Sequence, residues 1–471
     1  MAKSMASSRG GLDGYFQISN RGSTVRTEVV AGVTTFMTMA YILFLNPLIL
    51  SVPDAQGTVL APGAVLTVTA LAAGLMTIAM GALSNYPFAI AAGLGLNGFV
   101  AFTLVATQGL TWPEAMGVIV VEGVVIFLLV LTKFRQAVMD AVPLPLKHAI
   151  AVGIGLFIAI IGLVDAGFVN TTGLPVPPLQ LGSNNELVGW PVGVFLIGLL
   201  LIIYLYIRKV PGSLLVGILV TTAVAIVVNE LFLEGTGFGE TARLQNPVDF
   251  PDGDNFSLIG DFSFGFFSAL GIIPALLAVF TVMLSDFFDT MGTAIGLGRE
   301  AELLDDQGRL PGIDRVLYVD SAAAAVGGAF SASSNTTYIE SASGIAAGGR
   351  TGLTAVVTGG LFLLSIFLAP LAEIIPIQAA APALVLVGFL MMTAIKEIDF
   401  ADLEIAIPAF LTMIVMPFTY SITNGIGAGF VSYAFIKLSR GKSNEVRPMM
   451  WVAAAAFVVY FGIFYVRDFL T

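Results

Sequence analysis

Apolar runs of about 20 residues recur along this chain, separated by short polar breaks. A helix of that length crosses a hydrocarbon core of about 30 Å, and in lipid only helices and closed barrels satisfy their own backbone. The alternating segments of ~10 residues that mark a barrel are missing from the pattern. With 57% hydrophobic and 11% charged residues among 471, the chain lacks the polar side chains needed to cover a soluble core. The sequence therefore predicts an all-α polytopic membrane protein.

Reading each run between its breaks predicts helices over 27–50, 63–83, 87–106, 115–132, 145–165, 189–207 and 211–232, then 266–297, 313–330, 335–349, 351–373, 380–396, 403–418 and 421–438. A further apolar stretch, 448–468, fits either a crossing or a helix along the surface. Arg21, Arg26, Lys133, Arg135, Lys147, Arg208, Lys209, Arg299, Arg309, Arg315, Arg350, Lys396, Lys437, Arg440 and Lys442 all fall in breaks on one side. The breaks 52–62, 107–114, 166–188 and 374–379 carry no Lys or Arg, and the acidic loop 233–265 carries only Arg243. Cytoplasmic loops concentrate Lys and Arg, so the pattern predicts about fourteen crossings of an inner or plasma membrane with a cytoplasmic N-terminus. The polar opening, residues 1–28, lacks the apolar core of a cleaved signal, and the first helix is expected to be an uncleaved anchor.

Composition narrows the chemistry. The absence of cysteine excludes disulfides, thiolate nucleophiles and cysteine-ligated metals, and a single histidine, His148, excludes a histidine-rich metal site. His148 reads as an interfacial residue at a helix start. Net charge is −11 without a long basic tract, which argues against nucleic acid. No cofactor or metal is expected, and no Ser/His pair or acids opposed on separate helices suggest an enzyme. Gly93-Leu-Gly-Leu-Asn-Gly98 matches GxGxxG formally but lacks the preceding strand and βαβ context of a dinucleotide site.

Three carboxylates break the apolar pattern. Asp286 and Asp289 lie in the run ending LSDFFDTMGTAIGLG, and Glu340 lies in SSNTTYIESASG. An ionisable group at mid-bilayer costs about 2.5–3.5 kcal/mol on insertion scales, so it persists where it faces a protein interior or a polar cavity. Three apart on a helix, Asp286 and Asp289 share a face that Thr293 continues one turn on. Two nearby carboxylates in low dielectric leave one able to carry a proton at neutral pH. The structural alternative has one Asp bonding the backbone of a broken neighbouring helix. Glu340 follows Asn335, Thr336 and Thr337, which suit the N-cap of a half-helix. From there Glu340 could accept two N–H bonds from a planar polar ligand, or cap its own helix.

Asn97, in a helix loosened by Gly93, Gly95 and Gly98, offers an amide that both donates and accepts, or an interhelical hydrogen bond of ~1 kcal/mol. Phe36, Tyr41 and Phe99 could stack on a flat ring, and Ile339 adjoins Glu340. Glu122, in GVIVVEGVVIF, suits pairing between helices or proton handling, and Asp320, in LYVDSAAAAVGG, suits capping or pairing near the site. Phe36-Met37-Thr38-Met39-Ala40 echoes Phe288-Asp289-Thr290-Met291-Gly292, and the third and tenth predicted helices are both short and interrupted by small or polar residues. Corresponding breaks in two halves point to a transporter site at a repeat interface and predict a 7+7 inverted repeat.

At this point the residues resemble the AzgA-like adenine/guanine/hypoxanthine permeases of the nucleobase–cation symporter 2 superfamily. The resemblance is carried by TEVVAGVTTFMTMAYILFLNP (27–47), AAGLGLNGF (91–99), IAVGIGLFIAIIGL (150–163), DFFDTMGTAIG (286–296), SSNTTYIESASGIAAGGRTGL (333–353) and MPFTYSITNGIGAGFVSY (416–433). It implies core halves at 27–132 and 266–373 and gate halves at 145–232 and 380–438. These lie between the N-terminal segment 1–26, the extracytoplasmic loop 233–265 and a C-terminal extension 448–471. It also implies an elevator movement, proton symport and a homodimer. Asp289, Glu340 and Asn97 match the acidic residue of the eighth helix, that of the tenth and the polar residue of the third in the family's substrate site. Thr293 stands where uracil transporters of the superfamily carry a histidine, so protonation details there do not transfer.

The resulting expectation is an importer of purine nucleobases. Asp289, Glu340, Asn97, Thr293, Phe36, Phe99 and Ile339 would contact substrate, and Asp289, Asp286 and Glu340 are candidates for proton coupling. The alternatives are a uracil, xanthine or anion carrier of the same fold, and a proton or cation channel using the buried acids as a relay.

Overall fold

The computed structural model describes residues 11–132, 142–173, 177–239, 241–243, 246–305 and 310–470, so Lys133, Arg135 and Arg309 of the charge pattern lie outside the described residues. Among those residues, eight helices are long and apolar enough to cross a membrane: Val25–Ile49, Pro62–Ser84, Trp112–Leu131, Leu144–Asp165, Trp190–Ile207, Ser213–Phe232, Gly352–Ile374 and Ile377–Glu397. Leu94–Thr107, Ile272–Phe287, Leu403–Thr419 and Pro448–Gly462 are shorter apolar helices. Ile313–Ala329 and Ile422–Ser439 occupy the expected ninth and fourteenth positions, and only the tenth, 335–349, lacks a helix of that length.

Helix starts follow local chemistry. Thr24 accepts a bond from the Thr27 amide, Thr111 and Glu114 form a capping box, and Pro62 and Pro113 sit in first turns where no amide proton is needed. The first membrane helix is interrupted between Met39 and Ile42. Glu28, fully buried in it, accepts the backbone amides of Arg350 at 3.0 Å and Thr351 at 3.1 Å and the Thr354 hydroxyl at 2.6 Å. It thereby satisfies free donors at the start of helix Gly352–Leu364.

The third and tenth predicted helices are interrupted more deeply than the sequence indicates. Residues Asn335–Thr337, expected to cap a half-helix, instead form a strand. Four short strands occur among the described residues: β1 (Ile90–Ala92), β2 (Val169–Thr171), β3 (Leu179–Leu181) and β4 (Asn335–Thr337). β2 and β3 make a hairpin between two helices. β1 and β4 pair antiparallel, Ile90 opposite Thr337 and Ala92 opposite Asn335, with every residue of both strands buried. A helix of five residues follows β1 before the chain relaxes into a π-helix, Phe99–Thr107, and a six-residue helix, Ser341–Ala346, follows β4.

An isolated pair of strands inside an apolar protein leaves outward-facing backbone groups that no water can satisfy. Side chains satisfy them here. Thr77 Oγ1 accepts from the Ile90 amide at 2.9 Å and donates to the Ile90 carbonyl at 2.8 Å. On the other edge, Asp320 Oδ1 accepts the Thr337 amide at 2.8 Å and the Thr337 hydroxyl at 2.7 Å, while Oδ2 accepts from Thr290 Oγ1 at 2.6 Å.

Around this centre, Pro62–Ser84 packs on Gly352–Leu364, and Trp112–Leu131 packs on Ile313–Ala329. In a second group, Leu144–Asp165 packs on Ile377–Met392 and Leu403–Thr419, and Trp190–Ile207 packs on Ser213–Phe232. Pro448–Leu470 runs antiparallel to Ile422–Ser439. At one end Glu404 binds Lys437 and Lys442, each at 2.7 Å, and Lys437 binds Glu445 at 2.6 Å. Further along, Phe457 meets Phe430 at 6.0 Å and a Cβ on Gly427 would lie 2.6 Å from Phe457. The extension left open by the sequence is therefore packed lengthwise on a membrane helix.

Two glycines mark where backbones touch. A Cβ on Gly352 would lie 1.9 Å from the Gly81 carbonyl, and one on Gly327 would lie 2.1 Å from the Ser333 carbonyl in the loop leading to β4. Both neighbours are backbone and cannot rotate away. Gly352→Ala and Gly327→Ala are each expected to lower stability by at least about 1–3 kcal/mol, the usual cost of overpacking. Thermal unfolding of the detergent-solubilised protein measures this, and a Gly327→Ala variant as stable as wild type would contradict the contact with the β4 loop.

Candidate functional site

Glu340 stands immediately before helix Ser341–Ala346, and its side chain does not cap that helix. Instead, its Oε1 accepts a short hydrogen bond from the Tyr41 hydroxyl, offered by the break in the first membrane helix. Thr38 Oγ1 reaches the Glu340 carbonyl at 3.4 Å. The carboxyl group lines a cavity of about 530 Å³. Thr34, Thr38 and Ser343 share that lining with Tyr206, Ile207, the run Lys209 to Leu214, and Leu390. The cavity thus lies between the two groups of helices, with the Lys209–Gly212 turn in its lining.

On the far side of the same centre the groups are in contact. Phe102, at the end of the third segment, meets Phe157 and Tyr420 with ring centroids 6.1 and 6.5 Å away, and Thr103 Oγ1 donates to the Tyr420 carbonyl at 3.3 Å.

Asp289 keeps accessible surface although it sits midway along Ile272–Glu300, and it lies within electrostatic reach of Glu340, Asp320 and Tyr338. An accessible carboxyl surrounded by other acids and a tyrosine belongs to a polar cavity, not to a lipid-facing surface. Asp286 differs. It is fully buried, interacts with Asp289, Asp320 and Glu122, and neither of its oxygens has a hydrogen-bond partner. The two aspartates share a helix face in the broad sense expected, but one meets solvent and the other meets a closed polar interior.

Asn97 is also fully buried. Its Nδ2 donates to Asn46 Oδ1 at 2.7 Å, and Asn46 donates in turn to Thr69 Oγ1 at 2.7 Å and to the Ala332 carbonyl at 3.0 Å. Asn97 Oδ1 has no partner. This chain of amides ties the helix after β1 to the loop before β4. Thr293 is buried one turn beyond Asp289, and Ile339 is 55% exposed beside Glu340. Phe36 meets Phe362 edge-on at 5.2 Å, and Phe99 is buried in the main apolar core.

Sequence reasoning brought Asp289 and Glu340 to one place but missed the residues that hold them. Asn46, Thr69, Thr77, Thr290 and Thr336 are isolated small polar residues in apolar runs, a pattern equally common in ordinary helix packing. Tyr338 donates to the Ala92 carbonyl across the strand pair, and Thr290 and Thr336 share a bond of 2.7 Å. A Thr at each of 290, 336 and 337 beside an intramembrane Asp320 was the available signal. It could be read only once the pairing of β1 with β4 was known.

Comparison with known proteins accords with this architecture. A family model described as a permease family matches residues 26–428. The chain is 38% identical to the adenine permease AdeP of Escherichia coli over 96% of each chain. It is 35% identical to the guanine/hypoxanthine permease PbuG of Bacillus subtilis over 95% of this chain and 98% of that one. Among solved structures, the transmembrane domain of the cyanobacterial bicarbonate transporter BicA superposes with a TM-score of 0.57 at 14% identity, covering 86% of this chain and 97% of that domain, which supports the fold alone. These relatives are permeases and not enzymes, and the several apolar helices make this a multi-pass membrane protein. The chain belongs to the permease family, and its likeness to adenine and guanine/hypoxanthine permeases extends over nearly its whole length.

Proposed function

We propose that the protein carries purine nucleobases (hypoxanthine, guanine or adenine) into the cell by proton symport. The observation that carries this reading is the cavity beside Glu340, with Asp289 accessible and within electrostatic reach. A planar purine with N–H groups on one edge is matched by a carboxylate that accepts two of them. Glu340 takes that role, oriented by Tyr41. Asp289 takes a second N–H or the coupled proton, and Asn97 offers its unpartnered Oδ1. Ile339 and Thr293 flank these groups, and Phe36 and Phe99 close the apolar side. Asp289, Asp286 and Glu340 remain the coupling candidates. Lys209 is among the residues lining the cavity, so its wall carries a basic side chain as well as Glu340, whose carboxylate suits a ligand that offers N–H groups.

Alternating access follows from the division of the molecule. In this reading, residues 27–132 and 266–373 form a core that carries the solute past a gate built from 145–232 and 380–438. The packing supports a 7+7 inverted repeat. The broken third and tenth segments pair with each other, as do the fifth and twelfth helices, while the second pairs with the eleventh as the fourth pairs with the ninth. An exchange of halves maps this set onto itself. In this reading the Lys- and Arg-rich side is cytoplasmic, the cavity lined by Lys209 faces it in an inward-facing state, and the N-terminus is cytoplasmic. Fourteen crossings and the packed C-terminal helix as a fifteenth complete the topology, and two copies assemble as a homodimer.

Uptake of labelled hypoxanthine, guanine and adenine by cells lacking their own permeases tests the substrate class, with uracil, xanthine and bicarbonate as competitors. Purine uptake that saturates and collapses when an uncoupler is added is expected. Flux without saturation or purine dependence would instead indicate a channel. Replacing the carboxylate in Glu340→Gln removes a charge-assisted acceptor worth about 1.5–3 kcal/mol, so purine affinity should fall at least ~10-fold. Tyr41→Phe, which leaves the carboxylate in place without its orienting donor, should have a smaller effect. Unchanged purine affinity in Glu340→Gln, measured by binding to purified protein, would remove Glu340 from the substrate site.

A further inference from the structure

Glu122 lies midway along Trp112–Leu131 and Asp286 midway along Ile272–Glu300, and both are fully buried. The two acid groups interact with each other and with Asp320, and Asp286 also feels Asp289. Beyond these lie Glu340 and Tyr338, which reach Asp289 but not the pair. Among the described residues, no Lys, Arg or His acts on Glu122, Asp286 or Asp320, and no group of three acids is arranged to hold a metal ion.

The hydrogen bonding identifies what is missing. Glu122 Oε2 accepts from Ser334 Oγ at 3.4 Å, and the Thr336 hydroxyl lies beside Asp286. Glu122 Oε1 and both Asp286 oxygens are buried without a partner. Asp320, by contrast, accepts three hydrogen bonds and is a satisfied carboxylate. Ionised carboxylates only accept, so two of them facing each other lack a donor, whereas one protonated partner supplies it. Like charges opposed in a dry interior do not both ionise.

We propose that Glu122 and Asp286 share one proton and form the coupling site of this permease, set behind the strand pair from the solute, with Ser334 and Thr336 as positioning residues. The proposal rests on the transporter reading and deepens it. Accessible Asp289 connects the pair to solvent. A proton taken from water forms an O–H on Asp289; that bond breaks as an O–H forms on Asp286, leaving Asp289 ionised again. Ser334 precedes β4 and Thr336 lies within it, and Tyr338 and Glu340 come one and three residues after its end. A displacement of this strand by solute therefore changes the donors offered to the pair, which links proton release to the solute site.

The test uses the full chain in two measurements. Infrared spectra of the purified protein at neutral pH are expected to contain a carboxylic-acid C=O band that is lost in both Glu122→Gln and Asp286→Asn. In liposomes, with hypoxanthine as the solute and a pH-sensitive dye inside, the same variants should keep hypoxanthine binding within about twofold of wild type. Proton influx per solute should fall at least ~10-fold, and uptake should lose its pH dependence. Glu122→Asp, which keeps an acid, should restore part of the influx. If Glu122→Gln does not fold, Asp286→Asn and Glu122→Asp carry both readings. A band and a proton influx that persist in the variants overturn the proposal. So does a fall in thermal stability with the influx ratio unchanged, the mark of a purely structural pair. Wild-type protein that moves none of hypoxanthine, guanine and adenine defeats the transporter reading instead, and the infrared band then decides the shared proton separately.

Discussion

The structure depends on satisfying the backbone of two short strands where water cannot reach. A helix closes its hydrogen bonds within itself, but β1 and β4 are three residues each and expose an edge on both sides. Thr77 closes one edge and Asp320 the other, and the chain beyond each strand extends the ladder, from the Gly93 amide to the Ser334 carbonyl and from the Tyr338 amide to the Ala89 carbonyl. A failure at either edge would leave a buried donor unpaired, at a cost of about 1–3 kcal/mol each. The crossing of two broken segments explains why the site can exist at all. It brings backbone and side chains from sequence positions more than 240 residues apart within bonding distance, as with Tyr338 and Ala92.

Much of this was legible in the sequence because membrane solvation leaves so few options. Runs of apolar residues fixed the helix positions to within a few residues, since a helix start such as Pro62 or Trp112 is set by local capping chemistry. Asp289 and Glu340 stood out because charge is rare in such runs. The strands did not stand out. Ile-Ala-Ala and Asn-Thr-Thr are too short for an alternating pattern, and each acquires its conformation from the other, a tertiary effect with no local signature. Asn335, Thr336 and Thr337 accordingly looked like a cap because the same residue types serve both purposes. Glu28 and Asn46 were passed over for a related reason. A lone polar residue in an apolar helix declares that it has a partner without declaring which one.

The acids divide by what they meet, and that division organises the proposed mechanism. Glu28 and Asp320 are each surrounded by donors and act as fixed acceptors for another element's backbone. Glu340 has one donor, Tyr41, and a cavity on its other side. Glu122 and Asp286 have each other. A fully satisfied carboxylate resists protonation and suits a structural role, whereas one with unfilled acceptor positions gains from a proton or a ligand that fills them. Counting donors around each group, rather than counting charges, separates scaffold from moving parts.

The same count bears on why one movement should carry solute and proton together. A core sliding past a gate takes its polar site through an apolar constriction, where each uncompensated charge is strongly penalised. In the proposed reading the aromatic contact of Phe102, Phe157 and Tyr420 serves as such a constriction. A purine edge satisfies Glu340 but leaves Glu122 and Asp286 opposed with unpartnered oxygens, so solute alone does not satisfy the site. A proton alone leaves Glu340 with a single donor and an unfilled cavity. In the proposed reading only the doubly loaded site is satisfied throughout, and the obligatory pairing arises from desolvation without any direct contact between proton and purine.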